Sequence, residues 1–174
     1  MPQYTIEEFA TLLTRTYMTR FRGDHHPRTV TDVTDKGEEV LEFILPNPED
    51  GRFSVSLQTG TYRGSASDCT LYFGQAEVTR RLAPEEAVSA MEEILADRIV
   101  AVVRYKNQNA YENRRKVNAT PSEWLYQLPD DAEALERMLD KLRKPATLLE
   151  KLSGKYVGVF EVYRWSGSEV IERK

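Results

Sequence analysis

The sequence predicts an α+β protein, a single domain over residues 1–174 on a mostly antiparallel sheet of about six to seven strands. Three observations carry this. Apolar residues recur at helical spacing near the N-terminus, after Pro84 and after Asp130. Between and beyond those stretches, apolar and polar residues alternate as in half-buried strands. Short turns, rather than helical crossovers, separate the alternating stretches, which favours antiparallel neighbours with one wet face.

The first helix opens on Thr5-Ile6-Glu7-Glu8, a capping box in which Thr5 and Glu8 each accept from the other's backbone N–H. Ile6, Phe9, Leu12, Leu13 and Tyr17 then share a face that runs out near Arg20. Thr29 to Thr34 is rich in β-formers, Asp35-Lys36-Gly37 supplies a turn, and Glu39 to Leu45 is the next strand. Pro46 to Gly51 is a cluster of breakers. Phe53, Val55 and Leu57 alternate with Ser54, Ser56 and Gln58, and Cys69, Leu71 and Phe73 with Thr70 and Tyr72.

Pro84 opens the central helix, with Ala87, Val88, Met91, Ile94 and Leu95 inward and acidic residues in its first turn. Ile99 to Tyr105 is short and β-branched, as a buried strand is. Lys106 to Ala119 lacks apolar periodicity and reads as a loop. A second capping box, Thr120-Pro121-Ser122-Glu123, starts a C-terminal helical segment at Trp124-Leu125-Tyr126. That segment continues from Asp130 with Leu135, Met138, Leu139 and Leu142 inward, and after Pro145 with Leu148, Leu149 and Leu152. A β-hairpin closes the chain, Lys155 to Trp165 and Glu169 to Glu172, turning at Ser166-Gly167-Ser168.

Composition excludes several classes. The 174 residues are 40% hydrophobic, enough for a core and too much for a disordered chain. The longest strictly apolar run, Ile99 to Val103, is far short of the ~20 residues of a membrane-spanning helix. One cysteine, Cys69, makes no internal disulfide, and the first turn is acidic where a secretory signal is basic and then apolar. The expected location is the cytoplasm.

No stretch matches a dinucleotide fingerprint, a Walker loop, a nucleophile elbow or a kinase signature, and no cofactor is implied. Asp24-His25-His26 holds both histidines beside a carboxylate, but without the spacing of a metal site; the three are weak metal candidates in a polar loop. Cys69 lies in register with Leu71 and Phe73, as a structural thiol does. The carboxylates read as surface: Glu85, Glu86, Glu92 and Glu93 on a helix, Asp130-Asp131 as a cap, and Glu42 outward between Leu41 and Phe43.

Charge is uneven. Arg104 to Lys116 carries five basic residues and one acidic, net +4 in a chain of net −4, which leaves −8 to the other 161 residues. Arg104, Lys106, Arg114, Arg115 and Lys116, with Tyr111 among them, are therefore the candidate binding residues. Three functions follow from these features. The leading expectation is an acidic cytoplasmic protein-binding module without catalytic activity, steered to a basic protein partner, as immunity or antitoxin-like inhibitors of basic nucleases are. The second is an enzyme whose site combines His25 or His26, carboxylates and the basic stretch. The third is nucleic-acid or phospholigand binding through residues 104–116, which a pI near 5.4 disfavours.

Overall fold

Alternation and capping signals resolve into defined elements in a computed structural model, which describes residues 4–21, 23–105, 112–113, 124–129, 131–142 and 158–173. The α+β, antiparallel class is as the sequence predicts: every strand pairing described is antiparallel. The chain divides into two compact units, residues 1–96 and 97–174. No helix among the described residues is long and apolar enough to cross a membrane.

In the first unit, α1 spans Ile6–Met18 behind the expected capping box: Thr5 Oγ1 accepts from Glu8 N–H at 3.1 Å, and Glu8 Oε2 accepts from Thr5 N–H at 2.9 Å. Ile6, Phe9, Leu13 and Tyr17 are buried, whereas Leu12, expected inward, lies at the margin of the stripe and is 36% exposed. Five strands follow: β1 Arg28–Val33, β2 Glu39–Leu45, β3 Val55–Tyr62, β4 Ser65–Phe73 and β5 Ala76–Leu82. They form one sheet in chain order, β1-β2-β3-β4-β5.

Alternation decides which face is dry. Leu41, Phe43, Leu45, Val55, Leu57, Cys69, Leu71 and Phe73 are buried against α1 and against α2, Pro84–Leu95. Burial of each such large side chain is worth about 1.5–3 kcal/mol. Where the helices meet, Tyr17 Oη donates to Glu92 Oε1 at 2.9 Å, and Arg20 holds the same carboxylate at 2.7 Å. Burial, and next the Glu92 hydrogen bond, push the Tyr17 phenol well above its ordinary range.

Two turns have fixed chemistry. Arg63 and Gly64 both have positive φ, the type I′ geometry that matches strand twist. Gly74, with φ +61°, joins β4 to β5 so closely that a Cβ there would lie 3.0 Å from the Arg52 carbonyl oxygen. β5 is not evident in the sequence, because two register shifts against β4 and positive φ at Arg81 break its alternation.

The second unit holds β6 Ile99–Tyr105, β7 Trp124–Pro129, β8 Gly158–Arg164 and β9 Gly167–Arg173, in the order β7-β6-β8-β9. α3, Ala132–Leu142, is capped by Asp131 Oδ1, which accepts from Glu133 N–H at 2.9 Å. Leu135 and Leu139 of α3 pack on Val100, Val102, Phe160 and Val162. The helical start expected at Trp124-Leu125-Tyr126 is corrected to strand β7. Its six residues pair with Ile99 to Arg104, so a continuous ladder along β6 overrides the local helix signal. The capping box at 120–123 and the helix expected through Leu148, Leu149 and Leu152 lie outside the described residues. The closing hairpin turns at Trp165-Ser166, one residue earlier than expected, because Gly167 already pairs with Arg164.

Candidate functional site

The face of the first sheet turned away from the helices carries the polar half of the alternation. Register aligns Val30 of β1 with Glu42 of β2, Glu42 with Gln58 of β3, and Gln58 with Thr70 of β4. Gln58 Nε2 donates to Glu42 Oε1 at 3.2 Å along this row. One rung on, Asp32 pairs with Val40.

The pairing of β3 with β4 shifts between Gln58 and Gly60, so that Asp68 and Cys69 together face Thr59. Asp68 takes the left-handed conformation at φ 51°, which aspartate tolerates better than most residues. Such a bulge bends its strand and re-aims side chains. Gly60 adds no side chain, and the space a Cβ would take is open. The result is a concavity of about 480 Å³ whose lining, among the described residues, includes the carboxylates of Asp32, Glu42 and Asp68 and no basic side chain. Carboxylates with no cation among the described lining residues make this concavity negative and acceptor-rich.

Beneath it the polar atoms are paired. Thr59 Oγ1 donates to the Ser67 carbonyl at 2.6 Å and accepts from the Cys69 thiol at 3.4 Å. Cys69 is fully buried, and burial raises its thiol pKa, opposite to what a nucleophile needs.

A second polar cluster lies in the second unit. Glu161 of β8 is 1% exposed and accepts from Tyr105 Oη at 2.8 Å and from Ser168 Oγ at 3.3 Å. This corrects the expectation that the carboxylates lie on the surface. The available signal was one acidic residue inside the apolar run Val159-Phe160-Glu161-Val162. Asp32 and Asp68 gave no comparable signal, since only strand register and a bulge bring them near Glu42.

Of the candidate binding residues, Arg104 is 3% exposed in β6, in step with Val100 and Val102 on the face that α3 covers. Lys106, Tyr111, Arg114, Arg115 and Lys116 lie outside the described residues. His25 ends a short 3-10 turn, Gly23–His25, and His26 is exposed, while the Asp24 side chain lies outside the described residues. Among the described residues no cluster of three or more His, Cys, Asp or Glu is arranged to hold a metal. A second groove, about 780 Å³ between α1 and β1, is lined by Thr11, Thr14, Thr31, Glu7, Arg15 and Asp32 among others. Among the described residues, neither concavity has a histidine in its lining. Comparisons with protein-family models, with curated proteins and with solved structures each return no match.

Proposed function

We propose that the chain is a protein-binding module without catalytic activity, and that the acidic face of its first sheet receives a basic segment of its partner. The observation that supports this is the grouping of Asp32, Glu42 and Asp68 around one concavity with no cation among its described lining residues. A partner's lysines and arginines would find acceptors there, and the −8 carried outside residues 104–116 would steer their approach. An inhibitor of a basic nuclease, acting in the cytoplasm as immunity proteins do, is the kind of protein this reading describes.

The test uses a short arginine-rich peptide as the probe, followed by calorimetry at several salt concentrations. Each exposed charge pair contributes about 0.2–1 kcal/mol, so the three together amount to roughly tenfold in affinity. The triple variant Asp32→Asn, Glu42→Gln, Asp68→Asn should lose that factor and the associated salt dependence. A control neutralising the exposed Glu38, Glu49 and Glu85 should retain both. Equal binding by the two variants would refute the assignment of this face.

A further inference from the structure

We propose that the free edge of β1 is a self-association surface, along which two copies of the chain pair β1 with β1 to continue the sheet. The two edges of the first sheet differ in kind. β5 is interrupted by two register shifts, a positive φ at Arg81 and the adjacent exposed Arg80 and Arg81, devices that discourage pairing. β1 has no register shift, no positive φ and no adjacent charges of one sign; its exposed Arg28 and Asp32 are of opposite sign. Its six residues pair with β2 in unbroken register, all six are exposed, and Val30 and Val33 are 52% and 59% exposed. Among the described residues β2 is its one neighbour.

The backbone shows which groups the edge offers. Thr34 N–H donates to Glu38 O at 2.8 Å where the β1–β2 hairpin closes. Residues of an antiparallel ladder alternate in direction, so Asp32, Val30 and Arg28 turn their amides to β2. Thr29, Thr31 and Val33 turn theirs outward. The Val33 N–H is already taken by its neighbour's carboxylate, Asp32 Oδ1 at 2.8 Å. The donors and acceptors of Thr29 and Thr31 are the core of what remains.

One register satisfies them on a second copy. Pairing Thr29 of each copy with Thr31 of the other exchanges both N–H···O bonds in each pair. It sets Val30 against its own counterpart on the two-fold axis and Arg28 of each copy opposite Asp32 of the other, two opposite-charge cross-strand pairs. The ladder then ends with Val33 against Pro27, where proline has no N–H to give and that of Val33 is engaged. Shifting the register by two residues either way separates arginine from aspartate.

The flank of α1 is self-complementary in the same sense. Thr14 Oγ1 lies 3.2 Å from Thr29 Oγ1, while Glu7 and the first turns of α1 line the groove with Thr31, Asp32 and Val33, so α1 runs antiparallel to β1. A two-fold axis through Val30 keeps both α1 helices on one face of the joined sheet. It brings Glu7 of each toward Arg15 of the other, across the small side chains of Ala10, Thr11 and Thr14. The groove of about 780 Å³ is the space this flank would enter.

Sedimentation of the full chain across the micromolar range tests the proposal. Wild type should move from 20.0 kDa toward twice that mass as concentration rises. Thr31→Pro, which removes an outward N–H and leaves the hairpin bonds to β2 in place, should remain monomeric with an unchanged far-ultraviolet spectrum. Arg28→Asp and Asp32→Arg, each placing like charges opposite one another, should each be monomeric alone yet pair when mixed, because the mixture restores both attractive contacts. Wild type that stays monomeric throughout would overturn the proposal. So would a Thr31→Pro chain that still doubles its mass, or charge variants that fail to pair on mixing.

Discussion

Gly74→Ala should destabilise the first unit by about 2–4 kcal/mol, and Gly64→Ala by only about 1 kcal/mol, although both glycines sit in two-residue hairpin turns at positive φ. The left-handed conformation costs an alanine about 1–2 kcal/mol at either position. Restriction of the unfolded chain returns about 0.4–1 kcal/mol. At Gly64 nothing lies within 4 Å of the added methyl, so these terms are the whole effect. At Gly74 the methyl would meet the Arg52 carbonyl oxygen at 3.0 Å and Phe53 Cδ1 at 3.1 Å. Phe53 is buried, edge-on to Phe73 at 6.1 Å, and the Gly74 N–H donates to Ser54 O at 2.9 Å. Overpacking of this kind costs about 1–3 kcal/mol. Urea titrations followed by far-ultraviolet dichroism measure both variants; tryptophan fluorescence would not, since Trp124 and Trp165 belong to the second unit. Losses equal within about 0.5 kcal/mol would show that the close approach of the turn to Arg52 and Phe53 is not what position 74 serves.

Three other outcomes are expected. The thiol of Cys69 and the phenol of Tyr17 both titrate higher in the folded chain than their ordinary 9.0 and 10.0, so their contribution is complete below about pH 9 and is lost as pH rises through the folded values. The urea midpoint should therefore fall on the alkaline side, with Cys69→Ala removing the earlier part of the fall and Tyr17→Phe the later part. Tyr105→Phe takes the donor at 2.8 Å from the buried Glu161 and should cost about 1–3 kcal/mol in fluorescence-monitored unfolding, with Ser168→Ala, at 3.3 Å, costing less. Arg63→Asn, at φ 53° in the β3–β4 turn, should stabilise by a few tenths to about 1 kcal/mol, read as a raised urea midpoint.

Strands β2 to β4 could be read from the sequence because each keeps a period of two with one wet face, and β1, exposed on both faces, because its residues are β-formers; Asp35-Lys36-Gly37 and Gly64 mark turns between them. α1 was equally clear, since Thr5 and Glu8 name its first turn before the apolar stripe begins. β5 and β7 were hidden for different reasons. Bulges disrupt the alternation of β5, whereas β7 follows a sequence that locally favours a helix and becomes a strand through its pairing with β6. The acidic concavity was visible only in part. Glu42 reads as outward from its immediate neighbours, but its meeting with Asp32 and Asp68 depends on cross-strand register, which no local pattern encodes.

The chain-order topology of the first sheet bears on how it forms. Each of β2 to β5 pairs with the strand just before it, across connections as short as Arg63-Gly64 and Gly74-Gln75. Closing such loops sacrifices little chain entropy, so the sheet can grow hairpin by hairpin without a distant segment having to arrive first. In the second sheet the β8–β9 hairpin is as local, but Tyr105 must find Val159 across most of its unit before β6 and β8 can zip. Residues 1–96 are thus set to fold in the faster phase, and residues 97–174 in the slower one.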